Sequence, residues 1–437
     1  MKVHWRNREE KNLKMNLNKM KLIRIALLMV IGSLLGFALL AMVFCLPLNG
    51  SVDAQGTADI FRSEGNRPSV VPGYRSTTGD NYTDALMIAE ALYAPLQEGK
   101  SPLDQAVYVY RKANSDSASR DLADMLEGKP MQWEISYTRY WHGFLVLLRP
   151  LLMVFSYADL RVLMCMAQMI LFALLLVTLT RQNRMELIVP FITVILTIAP
   201  TGTMVSLQYF SSYVLMMLGV LAVLYGDEWL SKNERYGYFF LILGMLTCYF
   251  DFLTYPLVTL FIPLILVLYL HAHEQHLFRF FVGACLLWGV GYAGFWAMKW
   301  LVGSLIVGDD LIYNAYHHAK YQVSMADVST GSRTEAIAAN LSVVARPAFV
   351  LLYAGAFCAY LIPILRGRRD MGKLFAKGRW VMGATALVPF AWWLVAVSHS
   401  VVHSLFTYRL ISITVFSLML WVDLARDEDV IRDADKK

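Results

Sequence analysis

The stretch LIRIALLMVIGSLLGFALLAMVFCL, residues 22–46, decides the fold class. Arg24 is its only charge, and apolar side chains surround the whole helical wheel, so no polar face is left for water. A helix needs about twenty such residues to cross about 30 Å of hydrocarbon. The segment before it, residues 1–21, is rich in Lys and Arg. A secretory signal also begins with basic residues, but this apolar run exceeds a signal core and no small-x-small cleavage pattern follows. The reading is an uncleaved first transmembrane helix.

Working outward, the same kind of run recurs along the chain. Spans are expected at 160–180, 187–206, 209–225, 238–252, 256–270, 278–301, 347–365, 381–397 and 405–424, about ten with the first. Residues 144–155 are interrupted by Arg149-Pro150 and read as an interfacial or half-inserted helix. The expected fold class is therefore an all-α polytopic bundle. Its parts are a basic N-terminus (1–21), the first helix (22–46), a large loop with membrane-parallel helices (47–142), a bundle (143–424) with a second loop at 302–346, and a tail (425–437). Composition agrees: of 437 residues, 57% are hydrophobic and 16% charged, and mean hydropathy is +0.48.

The formal charge of +6 does not point to nucleic acid, because the cations sit in short segments beside apolar runs. With the N-terminus inside, the inner loops carry Arg181, Arg184, Lys232, Arg235, Arg279, Arg366, Arg368, Arg369, Lys373, Lys377 and Arg379. The short outer segments hold little beyond Arg409, so both termini are expected in the cytoplasm of a multi-pass cell-membrane protein. The five cysteines form no CxxC pair and read as apolar packing residues. Absence of GxxxxGK[ST], GxGxxG, HExxH and GxSxG motifs argues against a nucleotide-driven pump or a zinc membrane protease. The histidines of His271-Ala-His-Glu-Gln-His276 read as a solvated interface at an inner helix end.

Polar residues of chemical interest gather on the outer side. In TGDNYTDA, residues 78–85, Asp80 and Asp84 stand four apart and share a face of the helix that follows. Asp80 also suits an N-cap; the functional alternative is a general base for an acceptor hydroxyl, or a ligand for a divalent metal ion. In RYWHGFLVLLRP, residues 139–150, Arg139, Tyr140, Trp141 and His142 enter the membrane, and Arg149 follows inside an apolar run. Tyr and Trp are ordinary belt residues at that level, but such an arginine must snorkel, pair or face a polar cavity. Gln208, Asp251, and the group His399, His403 and Arg409 lie at other outer helix ends. Histidines four apart with an arginine suit an anionic headgroup or a departing phosphate.

This arrangement resembles the GT-C superfamily of polytopic glycosyltransferases, with a cytoplasmic N-terminus and a large outer loop bearing acidic residues. The resemblance covers most of the chain and is architectural; the loop has no adjacent Asp-Glu or Asp-Asp pair. It implies transfer of a sugar from a polyprenyl-phosphate-linked donor to a glycan, lipid or protein acceptor. Asp80 or Asp84 then takes the acceptor's proton, and Arg139, Arg149, Arg409 and the histidines hold the phosphate. The rival readings are a polysaccharide polymerase or ligase, and a transporter or flippase of lipid-linked sugars. A flippase needs polar residues through the depth of the bundle, whereas here charge is nearly absent from span centres.

Overall fold

The computed structural model describes residues 19–47, 52–93, 99–313, 316, 332–366 and 370–425. The basic segment 1–18, Arg368, Arg369 and the tail 426–437 lie outside the described residues, as does much of the second loop.

Helix α1, Lys19–Phe44, is the run that opened the sequence. Leu27, Ile31, Leu34 and Leu35 stay exposed on one side of it while Phe37, Leu40 and Phe44 are buried on the other. Large apolar side chains left outside a packed helix are what lipid, rather than water, demands of a surface. Tyr157–Arg181 (α7) repeats the pattern with Val162, Met166, Met169, Ile170 and Leu174 exposed.

Between α1 and α7 the chain builds a compact layer. It comprises α2 (Ala54–Glu64), α3 (Asn81–Leu92), α4 (Pro102–Tyr108), strand β1 (Tyr110–Ala113), α5 (Ala118–Leu126), strand β2 (Trp133–Ser136) and α6 (Leu145–Leu152). β1 and β2 pair antiparallel, Tyr110 opposite Ser136. Ile88, Val107, Leu122 and Trp141 of this layer join Phe37 of α1 and Phe295 in one buried cluster. The layer is thus seated on the membrane helices. Its eight-residue α6 agrees with the expected short helix at 144–155.

The bundle continues with α8 (Ile188–Ile198), α9 (Pro200–Met204), α10 (Leu207–Leu230), α11 (Arg235–Phe250), α12 (Leu257–Leu270), α13 (Leu277–Gly289) and α14 (Phe295–Val307). It ends with α15 (Arg333–Val344), α16 (Pro347–Leu365), α17 (Trp380–Thr385), α18 (Val388–Val395), α19 (Val397–Val402), α20 (Ser404–Thr407) and α21 (Ile411–Asp423). Val220, Ile262, Leu264, Ile413 and Phe416 form the centre of its core.

Among the described residues, five helices are long and apolar enough to span: Met20–Phe44, Tyr157–Arg181, Leu207–Leu230, Leu277–Val307 and Ser404–Asp423. A sixth arises if Arg333–Val344 and Pro347–Tyr360, bent by 84°, count together. The protein is therefore a helical membrane protein, but by length and composition fewer spans qualify than the ten expected. The physical reason lies in broken runs. The run at 187–206 is cut at Ala199, whose φ of 57° is left-handed, and by Pro200. The fourteen residues of α12 rise only about 21 Å.

Candidate functional site

Helix α3 is the axis on which the site is built. Asp80 is its N-cap: Oδ1 accepts from the Thr83 amide at 3.2 Å and pairs with Arg67 at 2.6 Å, and Oδ2 accepts from the Thr83 hydroxyl at 3.1 Å. Asp84, one turn on, is fully buried and accepts four hydrogen bonds. The donors are the Tyr157 hydroxyl (2.8 Å), the Ser206 hydroxyl (3.0 Å) and the amides of Leu207 (2.8 Å) and Gln208 (3.1 Å). Those amides are the unpaired N–H groups at the start of α10, so the carboxylate closes that helix end. Burial pushes the Asp84 carboxyl up to about 6, against the pull of its donors.

Arg409 lies at the centre of the polar cluster beside α3 and α10. It is buried, and among the described residues no carboxylate pairs with it. Its guanidinium donates to the carbonyls of Ile198 (2.9 Å), Leu405 (2.7 Å) and Ser76 (3.5 Å), and stands 4.2 Å from the Tyr209 ring centre. Gly202 makes room for it: a Cβ there would lie 2.6 Å from the guanidinium and 2.8 Å from the Ser76 carbonyl. Tyr209 packs on Phe406, which touches both His399 and His403. The two histidine rings are 4.9 Å apart, and burial pushes His399 down to about 3 and His403 to about 4, so both are neutral near pH 7. Arg75 reaches the Ser404 hydroxyl at 2.9 Å.

Several buried polar atoms here have no hydrogen-bond partner: Tyr209 Oη, Gln208 Oε1, His399 Nε2, Ser400 Oγ and His403 Nδ1. Asp80, Asp84, Arg67 and Arg409 all act electrostatically on the Tyr209 ring. Asp251 borders the cluster through the Ser212 hydroxyl, which donates to it at 2.9 Å. Six of the residues singled out in the sequence therefore come together around α3 and α10: Asp80, Asp84, Gln208, His399, His403 and Arg409. Arg67, Arg75 and Tyr209 complete the group. Arg67 and Arg75 are exposed residues of a loop without periodicity, so nothing in the local sequence marks them as reaching Asp80 and Ser404.

Arg149 stands apart. It sits at the opposite end of α3, donating to the carbonyls of Ala91 (2.6 Å), Tyr93 (2.8 Å) and Leu46 (3.2 Å). Trp141 is a packing residue whose indole N–H donates to the Phe295 carbonyl at 2.8 Å. Arg139, Tyr140 and His142 form a second neighbourhood with Tyr137, Phe252 and Trp296. His271 is paired rather than solvated, with Asp227 at 2.7 Å and Glu274 at 2.9 Å. Among the described residues no three His, Cys, Asp or Glu side chains are grouped to hold a metal ion. Of the second-loop residues, His317, His318 and Lys320 lie outside the described residues.

The chain matches no family model, no curated protein and no solved structure. What the site does must be argued from its chemistry.

Proposed function

We propose that the protein is a membrane glycosyltransferase of the GT-C kind, taking a sugar from a polyprenyl-phosphate-linked donor on the outer side of the cell membrane. One observation supports this reading: the buried Arg409, the exposed Arg67 and Arg75 and several unpartnered buried polar atoms gather beside an apolar groove. The groove, about 350 Å³, runs between α7, α8 and α10 and is lined by Met169, Phe172, Ile195, Leu196, Pro200 and Tyr213. Tyr213 is one turn from Tyr209, and Leu196 and Pro200 flank the Ile198 carbonyl that holds Arg409. A substrate with an apolar tail and an anionic head fits that order of surfaces.

In this reading Arg67, Arg75 and Arg409 surround the phosphate, and the neutral histidines and Tyr209 hydrogen-bond to its oxygens. The acceptor hydroxyl oxygen attacks the anomeric carbon and the bond from that carbon to the phosphate oxygen breaks. The electron pair leaves with the phosphate, whose growing charge the arginines stabilise. The proton released by the acceptor passes to a carboxylate. Asp84 has its acceptor capacity engaged by four donors, which leaves Asp80, held by Arg67, as the candidate.

The test uses purified protein in nanodiscs with a panel of polyprenyl-phosphate-linked sugars, reading released polyprenyl phosphate. Release by the wild type, reduced at least 100-fold in Arg409→Gln and Asp80→Asn, is the expected result. Translocation of the intact lipid without cleavage makes the protein a flippase and overturns the proposal.

A further inference from the structure

A separate cavity lies far from the cluster around Asp84. Its volume is about 200 Å³, and it opens between the first turns of α1, α11 and α13. Helix α10 measures the separation. It begins at the Asp84 carboxylate, which accepts from the Leu207 and Gln208 amides, and it ends at Leu230, four residues before Glu234 of the cavity wall. Its twenty-four residues rise about 36 Å, about the width of a bilayer. The cavity shares no residue with the cluster around Asp84.

Two of its walls pass from charge to hydrocarbon. On α13, Arg279, Val282, Gly283, Leu286 and Leu287 recur at helical spacing, so one stripe of that helix runs from the guanidinium into apolar surface. The seven residues from Arg279 to Leu286 rise about 10 Å. On α1, Lys21 is followed one turn later by Ile25. Gly237 and Gly283 bring no side chain into the space between. Val282 and Leu286 are exposed, so the stripe is open to the hydrocarbon around the bundle.

Three charged side chains line the cavity: Lys21, Glu234 and Arg279. Lys21 and Glu234 pair with each other, so the carboxylate is already met. Arg279 is exposed, and among the described residues no carboxylate meets it. Helices α11 and α13 both begin here without a side-chain cap, and their positive ends add to its field. An uncompensated cation at the head of an apolar stripe is complementary in charge and order to a lipid phosphate and its acyl chain.

We propose that this cavity binds an anionic glycerophospholipid, with the phosphate against Arg279 and Lys21 and an acyl chain along Val282 and Leu286. The bound lipid bridges α1 to α11 and α13. It is a site distinct from that of the sugar donor and stands whether or not the donor reading holds.

Native mass spectrometry of the full chain in dodecyl maltoside micelles tests this with dioleoyl phosphatidylglycerol, dioleoyl phosphatidylcholine and inorganic phosphate. Phosphatidylglycerol should bind at least tenfold more tightly than phosphatidylcholine. Arg279→Gln should weaken phosphatidylglycerol about fivefold, the contribution of one cation beside an anionic headgroup. Lys232→Gln removes an equal charge from an exposed position outside the cavity and should leave the affinity within twofold. Val282→Trp crowds the exposed stripe with every charge kept and should weaken phosphatidylglycerol at least fivefold. Equal affinity for the two lipids, equal loss in Arg279→Gln and Lys232→Gln, or unchanged affinity in Val282→Trp overturns the proposal. Displacement of phosphatidylglycerol by millimolar inorganic phosphate also overturns it, because the ligand is then a soluble anion.

Discussion

Asp80 and Asp84 are one helical turn apart, yet their surroundings give them different work. Asp84 satisfies two amides and two hydroxyls at the start of α10, so Asp84→Ala strands four buried donors. Loss of roughly 3 kcal/mol of stability is expected, measured by thermal unfolding in detergent. Asp80→Asn keeps an N-cap, because Asn caps as well as Asp, and should unfold within about 1 kcal/mol of wild type while losing transfer. His271 carries a pH dependence of its own. Burial disfavours its charge, but the carboxylates of Asp227 and Glu274 outweigh burial and raise it to about 9. A raised histidine stabilises the fold fully below its ordinary value near 6.5 and loses that contribution as pH climbs through about 9. The thermal midpoint should therefore fall between pH 6.5 and 9.5 more steeply in wild type than in His271→Gln. The acidic partners are forty-four residues before and three after this histidine, so only Glu274 was within view of the local sequence.

At the scale of elements, the helices were legible and their lengths were not. Apolar composition marks α1, α7 and α10 with little ambiguity, since nothing else in a protein needs twenty uncharged residues in a row. The breaks at Ala199 and at the 84° bend before Pro347 depend on backbone conformations that composition does not encode. How closely two helices approach was equally hidden. A Cβ on Gly244 would lie 2.3 Å from the Trp288 carbonyl oxygen, and one on Gly291 would lie 2.1 Å from that of Leu241. Helices α11 and α13 meet backbone to backbone there, beside the π turn Val290–Gly294. Small residues permit such contact in a membrane, where packing rather than hydrophobic exclusion draws helices together. Gly291→Val should lower stability by about 1–3 kcal/mol, read as a reduced thermal midpoint, with binding of undecaprenyl phosphate kept in the folded fraction.

For the whole molecule, α7 carries the arrangement. It lies between two apolar grooves, one lined by Phe144, Leu163 and Phe210 and the other by Phe172, Leu196 and Tyr213, and it packs beside the layer that carries α3. The charge bias of the loops predicts that this layer lies outside the cell. Cys45, exposed at the end of α1, tests this: a membrane-impermeant maleimide should label it in right-side-out vesicles, while buried Cys248 stays unlabelled. Labelling of Cys45 only after permeabilisation would reverse the orientation.

By itself the sequence determined that the chain lives in a membrane, since a run such as residues 22–46 has no other low-energy environment, and it picked out Asp80, His399, His403 and Arg409 as polar residues at helix ends. Only the tertiary structure decided which of these meet. Arg149 and Arg409 look alike in sequence, each a cation in an apolar stretch. Each donates to three backbone carbonyls, but Arg149 sits at the end of α3 whereas Arg409 lies among the unpartnered polar atoms of Tyr209, His399 and His403. Hydropathy is local and can be read from neighbours in the chain, whereas the partner of a buried charge is set by how distant elements pack.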